Sequence, residues 1–194
     1  PDLGDGAVWF HFKSARHLPR WINGVRLLPG AEVDIMDTSG RLDIEDKYLK
    51  DLELVIASFH TPCFPPDGPK EDVTQAWLNV MENEHVEILG HMGDGRYMCD
   101  YEAVVKKAKE KGKIIEINNH SFRVRAGSDV NCRQIALLCK KYSVPVVLST
   151  DAHFSQEVGV VPRSIALMEE IDFPEELILN TSLKKLCDYL KVEI

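Results

Sequence analysis

Short runs of apolar, often β-branched residues alternate along this chain with longer stretches in which apolar positions recur every three or four residues. The short runs have the length and composition of buried strands: 54–59 before His60, 86–90 before His91, the run from Lys113 towards His120, and 144–148 before Asp151. The longer stretches, over 71–81, 101–111, 130–142, 161–171 and 182–192, have the period of helices. Gly112 stands where the second helix needs a left-handed cap, and Ser128 or Asp129 where the third needs an acceptor for its free amides. An extended segment is expected over 24–36, interrupted at Pro29-Gly30, and a short strand over 177–180. Successive strands begin roughly thirty residues apart, the period of a βα unit. The pattern therefore predicts an α/β fold with a parallel sheet, either doubly wound or closed into a TIM-like barrel.

What sits at the strand ends favours the barrel. In a barrel the C-terminal strand ends ring one mouth, so Glu32, His60, His91, Asn118 to His120, Asp151 and His153 converge although they are far apart in sequence. A doubly wound sheet centres its site on one switch point, usually behind a Gly-rich first loop that this sequence lacks. Taken singly, Asp151 also reads as a helix cap and His153 as a surface histidine. Glu32 likewise reads as part of an exposed strand face that it shares with Asp34. Taken together, His, His and Asp-x-His on three strand ends, behind a strand carrying Glu, form an imidazole and carboxylate set that suits Zn, Mn or Fe.

Glu32, His60, His91, Asp151 and His153 are thus the candidate metal ligands, with Glu32 and Asp151 as the catalytic carboxylates. Two cations ~3.5 to 4 Å apart would clamp a phosphate and turn a bound water into hydroxide near neutral pH, which is hydrolase chemistry. Arg123 and Arg125, after the third strand, and Arg96, after His91, offer forks for phosphate oxygens or are solvated loop arginines. Asn118 and Asn119 either contact substrate or orient ligands. His11, crowded with Trp9, Phe10 and Phe12, is a secondary candidate in a cluster that also reads as a packed lid or core edge.

The bulk properties narrow the setting. The chain has 194 residues, 44% hydrophobic and 28% charged, as expected of one soluble domain. A net charge of -8 without any Lys/Arg run argues against a nucleic-acid surface. No apolar run approaches the ~20 residues needed to span a bilayer. Five cysteines without paired spacing read as reduced and mostly buried, which points to a cytoplasmic protein.

Several phrases are recognisable: Gly30-Ala31-Glu32, Ser58-Phe59-His60-Thr61-Pro62, Gly90-His91, Glu116-Ile117-Asn118-Asn119, Gly127-Ser128 with Asn131-Cys132-Arg133, and Ser149-Thr150-Asp151-Ala152-His153. In this order, over nearly the whole chain, they resemble the PHP (polymerase and histidinol phosphatase) superfamily, and most of all its stand-alone bacterial phosphatase branch. The resemblance implies a distorted (β/α)7 barrel with up to three metals, often zinc, that hydrolyses a small phosphorylated molecule through a metal-bridging hydroxide. By position it implies that Glu32 bridges two metals, with His60 and His91 completing the second. Asp151 would serve the first metal and His153 the third.

The resemblance also implies an opening strand with His-x-His and a second strand ending in Asp-His-Gly, neither of which is in this sequence. Pro1-Asp2 matches the residues just after that second motif, so about three dozen further residues, one βα unit plus a strand, are expected upstream. On this expectation the chain is an N-terminally truncated barrel in which only the Glu32, His60, His91 metal keeps all its protein ligands. Met92 and Asp94 stand where the branch tends to carry Pro and Asn. Two other readings fit the same residues: a metal-dependent amidohydrolase, and a catalytically idle barrel acting as a scaffold. Exposed sheet edges in a truncated barrel would favour a homo-oligomer.

Overall fold

The computed structural model describes residues 17–194 together with Phe10 and Ser14; Trp9, His11 and Phe12 lie outside the described residues. The extended segment expected over 24–36 is two pieces. A hairpin comes first, β1 (Trp21–Ile22) and β2 (Val25–Arg26), turning on Asn23 and Gly24 at φ 49° and 80°. Asn-Gly is the pair that best tolerates two left-handed residues in a row. Then follow β3 (Gly30–Asp34), α1 (Asp46–Leu49), β4 (Leu54–Ser58), α2 (Lys70–Val80), β5 (Ile88–Leu89), α3 (Tyr101–Lys111) and β6 (Ile114–Asn118). After these come α4 (Ser121–Val124), α5 (Ser128–Tyr142), β7 (Val146–Ser149), α6 (Pro162–Glu170) and α7 (Leu183–Leu190).

Strands β3 to β7 form one parallel sheet in sequence order, with Glu32 opposite Ile56, Asp34 opposite Ser58, and Glu116 opposite Val147. The winding never reverses, so the doubly wound alternative and its switch point are absent from the described residues. The sheet is not closed either. Strands β3 and β7 do not pair with each other, and the expected ring is an open arc.

The short strand expected over 177–180 is not formed and extends nothing. That segment makes two 3-10 turns, Glu175–Leu177 and Leu179–Thr181, and touches β7 through one parallel bridge, Val146 to Ile178. A side chain takes the place of a ladder there. The amide of Asn180 accepts from the Leu148 N–H at 3.1 Å and donates to the Leu148 carbonyl at 2.8 Å.

Alternation along the strands sorts the side chains into two faces. Val55, Ala57, Leu89, Ile115, Ile117, Val146 and Leu148 pack with Trp77, Val104, Val105 and Ile135 of the helices in the main core. On the opposite face Ile88, Ile114 and Val147 join Leu179, Leu54 and Ile56 in a smaller apolar layer. Towards the C-terminal strand ends that face turns polar, carrying Glu32, Glu116, Asn118 and Ser149.

Gly112 caps α3 at φ 64°, as its position predicts. Helix α5 begins instead behind Gly127 at φ 82°. Both residues expected to cap it lie inside its first turn, where the Ser128 hydroxyl donates to the Gly93 carbonyl and Asp129 pairs with Arg163. All five cysteines are free thiols, four of them buried. Among the described residues no helix is long and apolar enough to cross a membrane.

Candidate metal centre

Three successive strand ends deliver one cluster. Glu32 comes from β3, His60 follows β4 and His91 follows β5, and one ligand atom from each lies within 4.8 Å of the others. Gly90 makes the last approach feasible, because a Cβ there would meet Ile56 Cγ2 at 2.9 Å and Ser58 Cβ at 3.2 Å. His91 then turns inward at φ 29°, a left-handed conformation that a bulky residue keeps only where its surroundings hold it.

Glu32 Oε1 is the common point of the cluster. The Ser58 hydroxyl donates to it at 2.7 Å, His91 Nε2 lies 3.0 Å away and His60 Nε2 3.6 Å away. Burial by itself pushes the Glu32 carboxyl up. Hydrogen bonds from His91 and Ser58 and the two nearby imidazoles outweigh it and hold the group at about 2, so it is anionic at any working pH. A carboxylate and two imidazoles are a nitrogen and oxygen donor set that suits Zn, Mn or Fe, and three protein donors leave a position open for water or substrate. The three residues can therefore hold a divalent metal.

Two further carboxylates brace this cluster, and sequence reasoning gave neither a role. Asp34 Oδ1 lies 2.6 Å from His60 Nδ1. The buried Glu116 accepts from the His91 backbone N–H through one oxygen and from the Ser149 hydroxyl through the other, both at 2.5 Å. The signals were present: Asp34 is two residues from Glu32 on one face of a strand, and Glu116 is a charge inside an otherwise apolar run.

The β6–β7 side differs. Asp151, at φ 49°, follows β7, and its Oδ2 accepts from Asn118 Nδ2 at 3.2 Å and from both terminal nitrogens of Arg125 at 3.2 and 3.3 Å. Arg125 is largely buried, and its Nε lies 3.7 Å from the buried Asp94. His153 is exposed, with Nδ1 2.9 Å from the Asp151 carbonyl oxygen and its ring stacked on His120 at 5.6 Å. Neither Asp151 nor His153 enters the three-donor cluster.

The other candidates are engaged elsewhere. Arg123 is exposed and pairs with Glu157, and Arg96 grips Asp94 and donates to the Thr61 hydroxyl. Asn119 Oδ1 accepts from the Arg163 and Ser164 amides, capping the start of α6 from a distance. A cavity of about 530 Å³ joins the two sides and is lined by Glu32, Glu116, Asn118 and Asp151 among others.

Comparison with known proteins gives this geometry a context. The chain is 45% identical over 191 residues to a probable phosphatase of Acetivibrio thermocellus, covering 98% of this chain and 79% of the relative. It is 47% identical over 185 residues to a probable phosphatase of Clostridium novyi, covering 95% and 75%. No family model matches the chain. Among solved structures, a chain in a cryo-EM structure of archaeal ribonuclease P with mature tRNA shares the fold, with a TM-score of 0.52 at 15% identity over 97% of this chain and 76% of that one. The protein belongs to the family of these probable phosphatases.

Proposed function

We propose that the protein is a metal-dependent phosphoesterase of the PHP type, acting in the cytoplasm on a small phosphorylated molecule. The observation that carries this reading is the meeting of Glu32, His60 and His91 within 4.8 Å in a chain 45% identical to a probable phosphatase. The one-directional winding of β3 to β7 supports a distorted (β/α)7 barrel as the complete architecture.

A metal held by this cluster, with zinc, manganese and iron as the candidates, supplies Lewis acidity towards a phosphoryl oxygen and activates water. The protein's own groups do the rest. Glu32 contributes permanent negative charge and Ser58 fixes its orientation. The Arg125 fork, steadied by Asp94 and Ser121, exchanges Asp151 for phosphoryl oxygens when substrate binds, and Asn118 holds Asp151 in place. Sites for further metals at Asp151 and His153 belong to the same reading.

The test is release of phosphate from p-nitrophenyl phosphate by the purified protein, combined with metal analysis. Activity that chelators abolish and zinc or manganese restores is expected. Less than one bound transition metal per chain, or turnover indifferent to chelators, defeats the proposal.

A further inference from the structure

We propose that Asp34 is a positioning residue: it holds the His60 imidazole as the Nδ1–H tautomer and so aims the Nε2 lone pair at the metal position beside Glu32. The inference rests on reading Glu32, His60 and His91 as a metal site.

A carboxylate only accepts hydrogen bonds, so the 2.6 Å contact between Asp34 Oδ1 and His60 Nδ1 requires the proton on Nδ1. That leaves Nε2 as the free donor atom, and it is Nε2 that lies 3.6 Å from Glu32 Oε1. Asp34 is itself held at three points. Its backbone N–H donates to Asp43 Oδ1 at 2.8 Å, its strand register sets it opposite Ser58, and the Cys63 thiol donates to its second oxygen at 3.1 Å. The Asp34 carboxylate pushes that thiol up to about 11, so the sulfur keeps the proton it donates.

Asp34 stands outside the three-donor cluster, two residues beyond Glu32 on β3. One strand thereby supplies a ligand and also sets the orientation of another. The two histidines need different treatment. The His91 side chain is only 3% exposed and its backbone is tied to Glu116, whereas the His60 side chain is 38% exposed and follows the end of β4. A ring that packing leaves free to rotate needs a partner on its far nitrogen, the arrangement that metal-binding histidines commonly use.

Two readouts on the metal-free and metal-titrated protein test this. Long-range ¹H–¹⁵N NMR of the apo protein should show His60 as the Nδ1–H tautomer in the wild type and a mixture with the Nε2–H form in Asp34→Ala. Competition against a chromophoric chelator should show a roughly 10- to 100-fold loss of zinc or cobalt affinity in Asp34→Ala. Asp34→Asn, which keeps an acceptor and the residue's shape, should restore the tautomer and part of the affinity, and it serves if the alanine variant does not fold. Wild-type tautomer and affinity in both variants overturn the inference while leaving the metal site standing. A wild-type protein with no affinity for either metal overturns both.

Discussion

The β3–β5 side and the β6–β7 side of the cavity carry similar residues in opposite electrostatic states. On the first, an anionic Glu32 meets two imidazoles whose ring nitrogens, with its own oxygen, form a three-donor set. On the second, Asp151 already faces a cation, because Arg125 places both terminal nitrogens on one of its oxygens. The two strand-end carboxylates thus have different partners: imidazoles and a hydroxyl around Glu32, an arginine fork and an amide around Asp151.

Removing the central anion breaks the comparison most strongly. Glu32→Ala should reduce metal affinity by more than about 100-fold and abolish phosphatase activity, since its loss exceeds the 10- to 100-fold typical of supporting residues. Asn118→Ala, on the other side, should cost only a few-fold, and equal occupancy in the two variants counts against the central role of Glu32.

Next in size is the arginine paired with Asp151. Arg125→Ala removes the guanidinium from Asp151, leaving the Asn118 amide, and should lower stability by about 2 kcal/mol, less than a fully buried pair because the site is partly open. Adding Asp151→Asn should recover part of that loss in a double-mutant cycle by urea unfolding, and strict additivity argues against the pairing. Gly90→Ala sharpens the first side, since the new Cβ presses on Ile56 and Ser58. A cost of about 1 to 2 kcal/mol, some 2 to 8 °C in Tm, is expected, together with weaker metal binding.

The smallest effect lies at the start of β5. Burial pushes the Glu87 carboxyl up from 4.5 to about 7 against the opposing pull of the Val55 amide and Lys113. Between these values the folded chain keeps a proton that the unfolded chain has released, so rising pH costs stability until the loss is complete above 7. Glu87→Gln should therefore be more stable than wild type at pH 8, by about 1 kcal/mol after allowing for solvent screening, and equal to it below pH 4.5. A pH-independent difference would contradict the burial of that charge.

Much of this was legible in the residues. Helix α3 and its Gly112 cap follow from apolar period and a glycine, and Glu32, His60 and His91 from what sits at consecutive strand ends. The rest depends on contacts that no local pattern encodes. Asp34 looks like any polar residue on an open strand face until His60 is known to meet it. Asn119 has the chemistry of a substrate contact, yet its oxygen is engaged by a helix start 44 residues away. The run around Ile178 has strand composition, but the Asn180 amide satisfies Leu148 and no ladder is needed. His91 and Asp151 adopt left-handed backbone without glycine, which composition alone does not announce.

The Asn180 amide has a counterpart. At the other margin of the sheet, the Asp43 carboxylate takes the Asp34 N–H as Asn180 takes both polar groups of Leu148. At these two positions an incoming strand would have to displace a side-chain hydrogen bond before it could pair. Fibril-forming chains recruit neighbours through bare margins of this kind. Asp43 and Asn180, neither of them among the three donors, thus guard one backbone position each against an unwanted neighbour.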